Sequence, residues 1–88
     1  MKEITVKIID PIGIHARPAQ LLTAAASKFK SESKITANGL EANLKSIMNI
    51  MTLGVKSGDE VTLKVSGEDE DLAFETILGA FKSNGLCE

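Results

Sequence analysis

The chain has few of the residues that would mark a metal site or a disulfide framework. It contains one histidine, His15, and one cysteine, Cys87. A single cysteine excludes an internal disulfide. One histidine with one distant cysteine is a poor ligand set for a transition metal, so no metal is expected. Tryptophan and tyrosine are absent, which removes the best platforms for stacking on bases, and a formal net charge of -2 leaves no basic footprint. Nucleic-acid binding is therefore not expected. No apolar run is long enough to span a bilayer, so membrane insertion is not expected either. Met1-Lys2-Glu3 leads straight into an alternating pattern, without signal-peptide architecture. A soluble cytoplasmic protein is the expectation. Cys87, next to the chain end, reads as an incidental residue of a frayed terminus.

What is present describes one globular domain over residues 1–88. A hydrophobic content of 43% with 25% charged residues argues against disorder. A domain this short buries a modest share of its surface, so its core must be economical. Lys2 to Ile8 alternates, with Ile4, Val6 and Ile8 on one face: a half-buried strand. Asp10-Pro11 and Gly13 break it. From Ala16 to about Phe29, Leu21, Leu22, Ala25, Ala26 and Phe29 form a stripe at helical spacing. Pro18 fits only in the first turn of that helix, which places His15 near its N-cap.

Lys34 to Ala37 and Leu40 to Leu44 flank Asn38-Gly39, a strong hairpin signal. Leu40, Ala42 and Leu44 are expected to share the inner face. Ser46 to Leu53 reads as a short helix with Ser46 as N-cap and Gly54 as its stop. Its apolar residues lie on more than one side, so some are expected at the surface. Glu60 to Ser66 alternates again, with Val61, Leu63 and Val65 inward. An acidic start at Gly67 to Asp71 suits the positive end of a last helix. Ala73, Phe74, Ile77, Leu78 and Phe81 are its buried stripe, Gly79 weakens it, and Gly85 stops it. The order is strand, helix, strand, strand, helix, strand, helix. Two layers follow, an antiparallel sheet with helices on one side.

The chemistry concentrates at Gly13-Ile14-His15-Ala16-Arg17-Pro18-Ala19. A helix N-terminus offers unpaired N–H groups and the positive end of the macrodipole, hence a place for an anion. An imidazole pointing into that place can carry a phosphoryl group covalently, because much of it is unprotonated near neutral pH. The N–H groups of Ala16 and Arg17 would then receive the phosphoryl oxygens. The Arg17 guanidinium adds a permanent charge and a fork that suits them. Against this stands the plain alternative of a capping or surface histidine. A Ser-His-Asp triad is open by composition, but nothing marks a nucleophile elbow. A small acid–base enzyme would need an enclosed pocket that an exposed junction does not promise.

The same seven residues resemble the active-site motif of the HPr family, the histidine-containing phosphocarriers of the bacterial sugar phosphotransferase system. Asn43-Leu44-Lys45-Ser46-Ile47-Met48, continuing through Met51-Thr52-Leu53-Gly54, is similar to the regulatory serine segment of its Gram-positive-type members. Ser66-Gly67-Glu68-Asp69-Glu70 resembles the approach to that family's last helix. The resemblance spans essentially the whole chain. It implies an α+β open-faced sandwich, βαββαβα, with strand order 1-4-2-3 and three helices on one face.

The resemblance further implies a carrier, not an enzyme, that needs no cofactor and works as a monomer. His15 would accept a phosphoryl group on Nδ1 from phosphorylated enzyme I and pass it to the IIA domains of sugar-specific enzymes II. Arg17 would assist. Ser46 would be phosphorylated by an HPr kinase/phosphorylase. Ala16, Gln20, Ile47, Met48 and Met51 would form the partner-docking patch, with methionines suited to several surfaces. The rival within the family is a regulatory relative acting through Ser46-dependent partner binding. Ile12 departs from the pattern, standing where members commonly carry a small polar residue. Asn49 and Ala24 depart too, making the docking surface less basic.

Overall fold

Alternation in the sequence becomes a four-stranded sheet in the computed structural model, which describes residues 1–87. In chain order the elements are β1 (Lys2–Lys7), α1 (Ala16–Ala26), β2 (Glu32–Ala37), β3 (Leu40–Asn43), α2 (Ile47–Met51), β4 (Glu60–Ser66) and α3 (Glu70–Ser83). The strand order is β1-β4-β2-β3, and every neighbouring pair is antiparallel. This is the open-faced sandwich expected. The period-two pattern sets the register. Leu63 of β4 lies between Ile4 and Ile35, and Val65 lies between Lys2 and Ser33. Val61, Leu63, Val65, Ile35 and Ala37 are buried, whereas Ile4 and Val6 on the edge strand are half-buried. The opposite face stays polar: the Thr5 and Thr62 hydroxyls hydrogen-bond at 2.9 Å, and Lys34 pairs with Glu41 at 3.5 Å.

Leu22, Ala25 and Ala26 of α1 and Ala73, Ile77 and Phe81 of α3 close the covered face. Full burial of a side chain such as Leu22 or Phe81 contributes about 1.5–3 kcal/mol. The two helices pack on each other and α3 packs on β4, which fixes where α1 begins.

The structure departs from the sequence expectations at several ends. Helix α1 stops at Ala26, not near Phe29. Its last turn tightens, with the N–H groups of Lys28 and Phe29 reaching Ala25 and Ala26 carbonyls. The next two, of Lys30 and Ser31, are taken by the Asp69 carboxylate at 3.0 and 2.9 Å. Strand β2 starts at Glu32, two residues early, because Ser33 is paired with Val65 and buried. Leu40 is 53% exposed beside the hairpin turn on the edge strand, so it does not join the core. Leu44 lies past the end of β3 but is fully buried, and its N–H bonds Ser33 O at 2.9 Å.

The segment after α3 is tied to the fold by its own hydrogen bonds. Gly85 takes φ +70°, its N–H bonds Lys82 O at 3.1 Å, and Leu86 N–H bonds Phe81 O at 3.0 Å. This pair of bonds is a Schellman stop. It drops Leu86 into the core and leaves Cys87 4% exposed, so Cys87 is not a frayed residue. Burial pushes the Cys87 thiol up from its ordinary pKa.

Candidate functional site

The connection from β1 to α1 is fixed along its length. Ile8 N–H bonds Asp59 O at 2.9 Å, and Ile8 O accepts from Gly58 at 2.7 Å. Ile9 N–H bonds Leu86 O at 2.8 Å. Asp10-Pro11-Ile12-Gly13 then makes a turn closed twice, by Gly13 N–H on Asp10 O and by Ile12 N–H on Asp10 Oδ1, both at 2.9 Å. Gly13 sits at φ +83° with its Cα pressed on the backbone of Val55 and Lys56; a Cβ would lie 2.2 Å from Val55 O. Only glycine fits there. The buried Ile14 follows, its N–H on Val55 O.

His15 is the N-cap of α1, with extended backbone and no capping bond from its side chain. Its carbonyl accepts Ala19 N–H at 3.0 Å, the first bond of the helix. The imidazole is half-buried and, among the described residues, unpartnered, so its nitrogens are not committed elsewhere. The N–H groups of Ala16 and Arg17 lie in the first turn, where no intrahelical acceptor exists. Pro18 is buried in that turn, as its missing N–H permits. Ala16 and Arg17 are exposed, and Arg17 forms no ion pair among the described residues.

His15, Arg17, Pro18 and Leu21 form one wall of an open concavity of about 390 Å³. The other wall is Asp10 together with Ser83 and Asn84 from the end of α3. The Schellman stop and the Ile9–Leu86 bond bring that end alongside the turn. Asn84 Nδ2 and Ser83 Oγ both donate to Ala80 O, at 2.7 and 3.4 Å, so these side chains also finish the helix. The concavity is too shallow to enclose a small substrate, but it leaves the imidazole open to a large partner.

The second segment is organised around Ser46, the N-cap of α2, whose Oγ accepts Asn49 N–H at 3.3 Å. Asn49 Oδ1 accepts Asn43 N–H at 3.1 Å, and Asn43 Oδ1 accepts Lys45 N–H at 2.9 Å. Lys45 Nζ reaches Phe29 O at 2.8 Å, tying the segment to the end of α1. Of the helix's apolar residues, Ile50 is buried, Ile47 is half-buried against the core, and Met48 and Met51 are 79% and 42% exposed. Helices α1 and α2 pack together, and Gln20 and Leu21 of α1 are exposed.

Comparison with known proteins gives the family of this fold. A family model described as PTS HPr component phosphorylation site matches residues 2–83. The chain belongs to the HPr family. It is similar to the phosphocarrier protein HPr of Mycoplasma genitalium, 48% identical over 85 residues that cover 96% of this chain and 97% of that one. Its fold matches the solved structure of a Mycoplasma histidine-containing phosphocarrier protein with TM-score 0.97, at 40% identity and 99% coverage of each chain. It also matches Crh, the Bacillus subtilis catabolite repression protein solved as an intertwined, domain-swapped dimer, with TM-score 0.74 at 37% identity, covering 98% of this chain and 99% of that one. The chain is thus a phosphocarrier-type protein of the phosphotransferase system. No helix among the described residues is long and apolar enough to cross a membrane.

Within the HPr family fold, the residues singled out in the sequence fall into two groups. His15, Ala16 and Arg17 share the start of α1, and Ser46, Ile47, Met48 and Met51 share α2 with its cap. Asp10, Ser83 and Asn84 also line the concavity, and of these only Asp10 stood out in the sequence, as a strand breaker. Pro11 and Gly13 marked the turn around Asp10, but nothing local in the sequence tied residues 83 and 84 to His15.

Proposed function

We propose that His15 is the residue that carries the phosphoryl group, taken from phosphorylated enzyme I and delivered to IIA domains. The supporting observation is an uncommitted imidazole at the N-cap of α1, at an open surface beside the free N–H groups of Ala16 and Arg17. In the transfer, the Nδ1 lone pair forms the N–P bond as the bond from phosphorus to the donor breaks, and the donor keeps that electron pair. The helix N-terminus and the Arg17 guanidinium meet the phosphoryl oxygens. The helix contribution is modest, about 0.3–1 kcal/mol at an exposed end and up to about 2 in favourable geometry. That suits a group meant to be passed on. Residues 1–88 act here as a single cytoplasmic monomer with no cofactor. The docking surface is Ala16, Gln20, Ile47, Met48 and Met51, and the exposure of the two methionines supports it.

The test is incubation with enzyme I and radiolabelled phosphoenolpyruvate. The expected product carries acid-labile, base-stable label that His15→Ala abolishes. Absence of label in the parent chain, or label that survives the substitution, overturns the assignment.

Ser46 is assigned as the site of an ATP-dependent HPr kinase/phosphorylase. Phosphorylation would add about -1.5 to -2 charge at a helix start, where the dipole tolerates it, so the helix stays folded and the effect falls on docking. Ser46→Asp is expected to slow phosphorylation of His15 by enzyme I while the unfolding midpoint stays close to the parent's. Equal rates would remove the regulatory role.

A further inference from the structure

We propose that Asp10 is a charge-tuning residue of the His15 site: its fixed carboxylate keeps the concavity a weak binder of phosphate and shortens the life of a phosphoryl group on His15. The phosphohistidine half of this rests on the assignment of His15 above; the phosphate half does not.

Asp10 is the one carboxylate among the residues lining the concavity, and Arg17 is the one permanent cation. The carboxylate is held still. Its Oδ1 accepts Ile12 N–H at 2.9 Å, its own carbonyl accepts Gly13 N–H, and the turn is anchored on both sides by Ile8, Ile9 and Gly13. Its second oxygen has no hydrogen-bond partner among the described residues, and neither Asp10 nor Arg17 has an ion-pair partner.

Residue 12 sharpens the effect. Ile12 is 68% exposed and its side chain carries no donor. Its backbone N–H is the group spent on Asp10. On this edge the site therefore offers a negative charge and no donor. The carboxylate repels an incoming phosphate and competes with it for the Arg17 guanidinium. At a solvent-exposed site a single like charge lining the same concavity is expected to change affinity on the order of three- to tenfold, and salt screens it.

Asp10→Asn separates charge from structure, because the amide oxygen accepts the same bond from Ile12. Asp10→Ser is the second variant, with a short acceptor for the same turn. Unphosphorylated parent and variants are titrated with inorganic phosphate while the amide signals of Ala16 and Arg17 are followed by NMR. At low ionic strength both variants should bind about three- to tenfold more tightly, and the gap should close toward 1 M salt. Phosphorylated on His15, both should hydrolyse more slowly by a similar factor. In that reaction a water oxygen bonds to phosphorus, the P–N bond breaks, and the imidazole nitrogen keeps the electron pair. A purely turn-forming Asp10 predicts parent-like phosphate affinity in Asp10→Asn at every salt concentration, and that result overturns the proposal. If the parent takes no label from enzyme I, the carrier assignment fails, and the phosphate titration decides the role of Asp10 alone.

Discussion

At the scale of single residues, two glycines in this chain do opposite things. Gly13 holds φ +83° with no room for a Cβ, since Val55 O would lie 2.2 Å from it. Strain of this kind costs about 1–3 kcal/mol, and the clash is with backbone, which cannot swing aside. Gly13→Ala is therefore expected to lower stability by at least about 2 kcal/mol in urea unfolding. It should also slow phosphoryl transfer by tenfold or more, because small misplacements of a reacting group cost large factors in rate. Gly79, by contrast, lies within α3 at ordinary helical φ, is exposed, and has open space where a Cβ would go. It serves no close packing. Gly79→Ala should raise stability by about 0.5–1 kcal/mol without touching transfer. A loss of stability there, read by the same urea unfolding, would show that α3 needs the freedom of glycine.

At the scale of elements, local pattern carries most of the information. Period two in Lys2–Lys7 and Glu60–Ser66, and helical spacing in Leu22, Ala25, Ala26 and in Ala73, Ile77, Phe81, are enough to name strands and helices. The Ser46 cap is equally local, because its partner Asn49 is three residues away. The end of α1 is not, because the groups that satisfy its trailing N–H donors sit on Asp69, 38 and 39 residues along the chain. Burial of Cys87 is also nonlocal. Gly85 announces the stop, but only the bond from Ile9 shows what the stop is for. The candidate site divides the same way. His15, Arg17 and their helix start are legible in seven consecutive residues. Asp10 lies just upstream but shows no role until the turn is seen, and Ser83 and Asn84 reach the site only through the packing of α3.

At the scale of the whole molecule, Asp69 ties the two long helices together. Its carboxylate accepts from the Ser31 hydroxyl and from the N–H groups of Ser31 and Lys30, although Asp69 is itself the N-cap of α3 and gives that helix no capping bond. Close contact is enforced beside it: Gly67, at φ +151°, leaves a Cβ only 2.7 Å from Ser31 Cα. The Ser31 hydroxyl, then the Lys30 N–H, hold the Asp69 pKa at about 2 against the opposing effect of burial. The direction of the pH effect follows. Above the ordinary value of 3.8, the carboxylate is ionised in both folded and unfolded chains, and its full stabilisation is present. As pH falls from 3.8 toward about 2, the unfolded chain takes up the proton first, so unfolding becomes easier. Below about 2 both states are protonated and the contribution is gone. Glu70 acts with the same sign, its pKa lowered first by its hydrogen bond from the N-terminal ammonium and then by Gly67 N–H. The parent should thus lose urea resistance steeply between pH 4 and pH 2. Asp69→Asn should be less stable at pH 7 and should show a flatter pH dependence over that interval, with only the Glu70 part left. Parallel curves for the two proteins would mean that the charge on Asp69, and with it the tie between α1 and α3, does not govern acid unfolding.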